Sequence, residues 1–432
     1  MIVDPLDRDR VIMAVRPRPA VNTQVLLPGS KSLTHRALIA SALAEGESLI
    51  LGALSCEDTH LTAEALMQMG VRIEWSGDEV RVSGSSGRIR APEKGPTIKV
   101  GNSGTSLRLL LCVAGLGRGA FTFMGAPRLH ERPVGELAGP LQAMGVKIRF
   151  HRRTGFAPLT LETDGIEGGP IDVRPETSSQ HLSSLLLAAP FARQDMIIRV
   201  KGKSVSRPYI DMTLRVMEAF GGLVERNAGG DFRVAAGAPY QGRTYTVEGD
   251  ASTASYFWAA AAVTGGRVVT YNCSPKSPVQ GDMRFLDVLE RMGCRIQRHS
   301  DSVEVAGGPL RGISTGMGDL PDMVPTLAAV ALFARGRTVI SNVGHLRFKE
   351  SDRLEAVTAE WQKLGGRLKL RGNCLEIEGG ARLKGTQLNP RNDHRIAMSL
   401  GVVGLRVRGI RIQDPECVCK SFPGFWSMWN EL

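Results

Sequence analysis

The 432-residue sequence is poor in aromatics, at 5%, and its 54 Lys and Arg outnumber its 43 Asp and Glu without gathering into basic runs. Nucleic-acid binders cluster their cations or interleave them with stacking rings. Single arginines dispersed through Gly-, Ser- and Pro-rich turns therefore argue against a nucleic-acid partner. The excess of positive charge points instead to small anionic ligands. The seven cysteines include no CxxC pair. Only Cys417 and Cys419 stand close, reading as alternate positions of a strand, and reduced thiols without a metal are expected. No apolar run approaches the ~18 residues of a membrane span. The first 17 residues carry early acids and no apolar signal-like stretch, so a cytoplasmic protein without a membrane partner is expected. No GxGxxG follows a strand, and no HExxH or nucleophile elbow stands out, which weakens dinucleotide, zinc-hydrolase and acyl-transfer readings.

Glycine, in contrast, is abundant at 50 residues, and the chain is too long for one ordinary core. A helix end, a Gly- or Arg-bearing turn and a β-branched strand recur six times. The copies are SALAEGESLILGA (41–53), CVAGLGRGAFTFMG (112–125), LAAPFARQDMIIRV (187–200), AAVTGGRVVTYN (261–272), ALFARGRTVISNV (331–343) and GVVGLRVRGIRIQD (401–414). Their strand centres fall near Ile50, Thr122, Ile198, Val269, Ile340 and Arg411, a period of roughly 70 residues. A second element, a helix ending in Gly before an alternating hairpin, interleaves with the first in five copies (LMQMGVRIEW and its relatives). The sixth is expected to be split between the chain ends, with MAVRPRPAVNTQVLL supplying strands. Six α/β units grouped three plus three are the natural arrangement, with a solenoid as the alternative.

The turns between repeats carry the chemistry. LPGSKSLTHR (27–36) looks like a phosphate cradle, yet Ser30 separates Gly29 from Lys31 and spoils the usual nucleotide loop. GNSGTSLR (101–108) offers free N–H groups and hydroxyls at a helix start. APRLHERPVGEL places Arg132 ahead of Pro133, in what can also be a solvated turn. In ETSSQHL, Ser178 and Ser179 can cap a helix or bind phosphate oxygens. VSRPYIDM sets Ser206 and Tyr209 around Arg207-Pro208. Asp319 and Asp322 of DLPDMVPTL read as ordinary helix caps. In RFKESDRL, Lys349 and Arg353 share a face if the helix begins by Lys349. NDHRIAM delivers Asp393, His394 and Arg395 to an apolar helix, and Lys420 of CVCKSFPGF follows a strand. Each segment has a structural explanation. Together they make nearly every repeat begin its apolar helix with hydroxyls or cations, which suits a positive cleft for polyanionic small molecules.

LPGSKSLTHRAL, GNSGTSLR, HERPVG, SSQ, SRPYID, EGDASTASYF, LPDM, RFKESDRL, NDHRIAM and KSFPGF, in this order, resemble the 5-enolpyruvylshikimate-3-phosphate synthase family along nearly the whole chain. The resemblance implies an α/β fold of two similar domains. Each has three βαβαββ units about a pseudo-three-fold axis, an inside-out α/β barrel, and two chain crossings join them. One domain would combine 1–29 with 248–432, and the other would span 30–247. It implies transfer of the enolpyruvyl group of phosphoenolpyruvate to the 5-hydroxyl of shikimate 3-phosphate, by addition and then elimination of phosphate. By resemblance, Lys31, Ser32, Arg36, Ser178, Ser179, Gln180, Ser206, Tyr209, Asp322 and Lys349 contact shikimate 3-phosphate. Lys31, Gly104, Arg132, Gln180, Arg353, Arg395 and Lys420 form the phosphoenolpyruvate site. Asp322, Glu350 and Lys31 are the candidate proton-handling groups. No cofactor or metal is implied, and a monomer with open and closed forms is expected.

Departures bear on this reading. Leu109 stands where some members have Pro, and His345 where some have Asn, so no contact is assigned to His345. Gly104 leaves the phosphoenolpyruvate pocket uncrowded and predicts sensitivity to the family inhibitor glyphosate. A transferase using UDP-N-acetylglucosamine would carry Lys-Asn for Lys31-Ser32 and a Cys in the Arg132 loop, which has none. An offshoot using another acceptor and a non-catalytic basic scaffold are the remaining alternatives.

Overall fold

The computed structural model describes residues 11–91, 97–202, 204–275 and 279–432. The first ten residues, part of the stretch read above as lacking a signal, lie outside them. The chain forms two compact units, Gly29–Val247 and the combination of Met1–Pro28 with Glu248–Leu432.

The unit Gly29–Val247 contains helices α1 (Lys31–Leu43), α2 (Glu57–Gln68), α3 (Gly104–Gly115), α4 (Gly135–Ala143), α5 (Ser179–Ala188) and α6 (Pro208–Ala219). It carries three four-stranded sheets of one design. The β-branched repeat strands Glu47–Leu51, Arg118–Met124 and Met196–Val200 sit second in their sheets. Each has a parallel neighbour on one side and the returning arm of a hairpin on the other. Alternation of apolar and polar residues in those hairpins leaves one face to cover with helices. The apolar residues of α1, α3 and α5 are not confined to one stripe, so these helices cannot lie on a surface. Every residue in them is buried except Ser32, Thr105 and Gln180, all in first turns. Helices therefore lie inside and sheets outside.

The other unit repeats the design with α7 (Ala251–Thr264), α8 (Phe285–Met292), α9 (Val324–Ala331), α10 (Arg353–Lys363), α11 (His394–Gly404) and α12 (Phe425–Asn430). Here α7, α9 and α11 are buried along their whole length and pack on one another. Two sheets have four strands, around Arg267–Tyr271 and Arg337–Ser341. The third has three, with Arg411–Gln413 between Gln387–Leu388 and the N-terminal strand Ile12–Ala14.

All six expected strand centres lie in strands. The split sixth unit is real but narrower than expected. Ile12–Ala14 pairs antiparallel with Arg411–Gln413, taking the place of a hairpin's returning arm. Asn22–Leu26 instead joins Arg267–Tyr271 in parallel, so the two N-terminal strands serve different sheets. Pro17 and Pro19 between them supply no backbone donor and break the run. Two further expectations are corrected. Cys417 and Cys419 lie in a 3₁₀ turn, Pro415–Lys420, because Asp414 at φ +45° and Pro415 end the strand. Lys349 is not helical: α10 starts at Arg353, where Asp352 accepts the Glu355 N–H as cap.

Candidate active site

In the unit Gly29–Val247, the first turns of α1, α3 and α5, where the one partly exposed residue of each helix lies, carry polar residues singled out by sequence. A Cβ on Gly29 would fall 1.9 Å from the Gly52 carbonyl oxygen, so only glycine lets the chain enter α1 here. Lys31 follows, 8% exposed, with Nζ 2.8 Å from Asp58 Oδ2 in the first turn of α2. One turn later, Arg36 is 1% exposed. It donates to Thr213 Oγ1 at 2.8 Å, to the Ser32 carbonyl at 2.9 Å and to the Tyr209 carbonyl at 3.1 Å. Burial lowers its pKa to about 10, against the opposing pull of Tyr209 and Tyr245. Arg36 thus ties α1 to α6.

Gly104 opens α3 beneath Arg132. A Cβ at Gly104 would meet Arg132 Cζ at 2.4 Å, and Arg132 Nη1 donates to the Asn102 carbonyl at 3.3 Å. Arg132 lies after a 3₁₀ turn, Pro127–Glu131, and is 2% exposed, so the solvated-turn alternative fails. Gln180 donates to Thr105 Oγ1 at 2.9 Å and accepts from Arg108 Nη1 at 3.0 Å. Ser178 caps α5, its Oγ accepting the Gln180 N–H, and Ser179 is the first helical residue. Ser206 sits at φ +55°, buried, with no partner for its Oγ among the described residues. Such left-handed backbone at a non-glycine residue is uncommon.

In the other unit, Arg353 is the hub. At 1% exposure it meets three carboxylates: Asp322 at 2.7 Å, Glu350 at 2.7 Å and Asp393 at 2.8 Å. Arg395 Nη2 closes the network on Asp322 at 2.8 Å, and Arg395 Nη1 reaches Tyr256 Oη at 3.4 Å. Asp393 also caps α11 and accepts from Ser351. Asp322 is no helix cap: it lies in the 3₁₀ turn Pro321–Met323 and spends its oxygens on the arginines. Burial alone would push its carboxyl up, but Arg395, Arg353 and Lys349 outweigh that and hold it well below the carboxylate range. Burial likewise opposes the charge on Arg353, and the surrounding carboxylates hold it above the usual arginine value. Nearby, burial and then the charge of Asp322 push the Asp282 carboxyl up to about 6. His345 is buried with no partner for Nε2 among the described residues, and burial and Lys349 lower it to about 3, so it is neutral. Lys420 ends its 3₁₀ turn at 5% exposure.

The unit Gly29–Val247 thus gathers cations, hydroxyls and helix N-termini suited to phosphate oxygens. The unit that holds Glu248–Leu432 sets planar guanidinium groups among the carboxylates of Asp322, Glu350 and Asp393. Sequence reasoning assigned no site role to Asp58, Arg108, Asp282 or Asp393. Asp58 and Asp393 each stand in the first turn or cap of a helix, and that position is the local signal that marks them.

A family model described as EPSP synthase (3-phosphoshikimate 1-carboxyvinyltransferase) matches residues 15–429. The chain is 46% identical over 420 residues to 3-phosphoshikimate 1-carboxyvinyltransferase of Syntrophobacter fumaroxidans, covering 97% of this chain and 99% of that one. It is 45% identical to the enzyme of the same name from Methanoculleus marisnigri, over 96% and 98%. A solved structure of EPSP synthase from Acinetobacter baumannii superposes with a TM-score of 0.80 at 28% identity, spanning 98% of both chains.

Proposed function

The chain belongs to the EPSP synthase (3-phosphoshikimate 1-carboxyvinyltransferase) family, and from that premise we propose which of its groups carry the reaction. It is a transferase of the shikimate pathway, moving the enolpyruvyl group of phosphoenolpyruvate to the 5-hydroxyl of shikimate 3-phosphate with release of phosphate. Ser32, Arg36, Ser178, Ser179, Gln180, Ser206, Tyr209, Asp322 and Lys349 receive shikimate 3-phosphate. Gly104, Arg132, Arg353, Arg395 and Lys420 receive phosphoenolpyruvate, with Lys31 and Gln180 serving both. In favour of this division, Ser32 and Gln180 stand among the three unburied residues of α1, α3 and α5. Guanidinium forks also match both the phosphate and the carboxylate of phosphoenolpyruvate.

The observation that carries the catalytic reading is one carboxylate, Asp322, held between two arginines. In that state it is a poor base. An incoming phosphoenolpyruvate anion takes a share of Arg353 and Arg395 and adds negative charge, so Asp322 becomes more basic as substrate arrives. Asp322 then accepts the proton of the 5-hydroxyl. Glu350, on the same arginine, takes up a proton as the incoming anion draws on Arg353, delivers it to the methylene carbon and takes one back as phosphate leaves, and the proton held by Asp322 departs with that phosphate. Lys31 stabilises the developing phosphate charge.

The domains are taken as 1–29 with 248–432 and as 30–247. The chain acts as a cytoplasmic monomer on small molecules, without nucleic-acid or membrane partners. No helix among the described residues is long and apolar enough to cross a membrane. The deciding assay is phosphate release: it is expected only with both substrates present. Release with phosphoenolpyruvate alone, or with another acceptor in preference to shikimate 3-phosphate, overturns the reading. Light scattering in solution tests the monomer.

A further inference from the structure

One carboxylate outside the assigned groups stands at the joint of two assigned segments. Glu136, in the first turn of α4, accepts from the Thr177 N–H, at 3.2 and 3.3 Å to its two oxygens, and pairs with His181 Nδ1 at 3.0 Å. Thr177 and His181 bracket Ser178, Ser179 and Gln180. Glu136 also lies four residues beyond Arg132, and the intervening Pro133 carbonyl accepts from Arg108 Nε and Nη2. Arg108 in turn holds Gln180 Oε1. Segments 132–136 and 177–181 are therefore cross-linked twice, by Glu136 and by Arg108.

The protonation states suit such a clamp. His181 is fully buried, and burial keeps its imidazole neutral, so Nδ1–H donates to the carboxylate. Burial pushes Glu136 up, but its bond to His181 and the Thr177 N–H bring it below its ordinary value, and it stays ionised. Anchored at residues 177 and 181, the first turn of α5 cannot fray, and fraying is the ordinary behaviour of helix ends.

We propose that Glu136 is a positioning residue that holds 178–180 in register for shikimate 3-phosphate and couples that subsite to Arg132. The proposal rests on assigning 178–180 to that substrate. Its test is steady-state kinetics of Glu136→Ala and Glu136→Gln beside Ser179→Ala, with thermal melts of each. Glu136→Ala is expected to raise the KM for shikimate 3-phosphate about tenfold, the scale of one lost charge-assisted hydrogen bond, with kcat within about threefold. Glu136→Gln keeps one acceptor oxygen and is expected to fall between Ala and wild type, which also secures the test should Ala fail to fold. A merely structural role would lower the melting temperature and the active fraction while leaving KM unmoved. If Ser179→Ala raises KM but both Glu136 variants stay within about twofold of wild type, the clamp alone is overturned. If Ser179→Ala also leaves KM unchanged, the assignment of 178–180 falls and the clamp with it.

Discussion

Gly104→Ala tests the assignment of Gly104 and Arg132 to phosphoenolpyruvate most directly. The added Cβ would lie 2.4 Å from Arg132 Cζ and 2.5 and 2.6 Å from its two terminal nitrogens. Ordinary contact begins near 3.4 Å, so the guanidinium must retreat by about 1 Å. It is the far end of a flexible side chain, so the backbone need not give, and overpacking of about 1–3 kcal/mol is the upper range for stability. The retreat does break the 3.3 Å bond from Arg132 Nη1 to the Asn102 carbonyl. A displacement of that size at a substrate-positioning group can cost ~10²-fold. The KM for phosphoenolpyruvate is accordingly expected to rise between ten- and a hundredfold, with the KM for shikimate 3-phosphate changing less. Wild type should be inhibited by glyphosate, and Gly104→Ala less so, when both are assayed side by side. An unchanged KM for phosphoenolpyruvate with a normal melting temperature would refute the crowding argument. Inhibition of wild type no stronger than that of the variant would remove the glyphosate expectation.

Other consequences are as direct. Arg353→Met leaves Asp322, Glu350 and Asp393 without their shared cation, and loss of one partner of a buried ion network costs ~3–5 kcal/mol. Chemical denaturation showing less than about 1 kcal/mol would mean the network is not tightly coupled. Asp282, raised to about 6 in the fold from 3.8, holds a proton between those values that the unfolded chain has released. Its contribution therefore weakens as pH rises from about 4 through 6, by about 3 kcal/mol in all. Asp282→Asn still accepts from Ser252. It should be more stable than wild type at pH 8 and equal to it near pH 4, and a variant destabilised at pH 8 would contradict this. Glu350→Gln is expected to lower kcat about 10²-fold while shikimate 3-phosphate binding holds, and a kcat within about threefold would take Glu350 out of the mechanism.

Much of the fold is legible from local signals. The six strand positions and their hairpins follow from period-two patterning and C-terminal glycines, which need only neighbours along the chain. Burial of α7, α9 and α11 follows from apolar residues on every side. The misreadings share one cause. Asp322 looks like a cap from its neighbours, yet its oxygens face Arg353 and Arg395, 31 and 73 residues away in sequence. Lys349 lies outside the helix because Asp352 caps it, so that the helix starts at Arg353, four residues later than the charge pattern suggests. Asn22–Leu26 gives no local sign that its partner is Arg267–Tyr271 rather than the strand paired with Ile12–Ala14.

By itself the sequence determined the six-fold α/β repeat, the polar residues at helix starts and, through ten ordered motifs, the family. Those properties rest on residue type at short spacing, where propensity, periodicity and capping act. The tertiary structure decided what each polar residue does. Lys31 was matched with Asp58, Arg36 was turned inward to join α1 to α6, and Arg353 was set among three carboxylates. Ion pairing and desolvation depend on distance in space and on exclusion of water, and packing creates both only once the helices are in place.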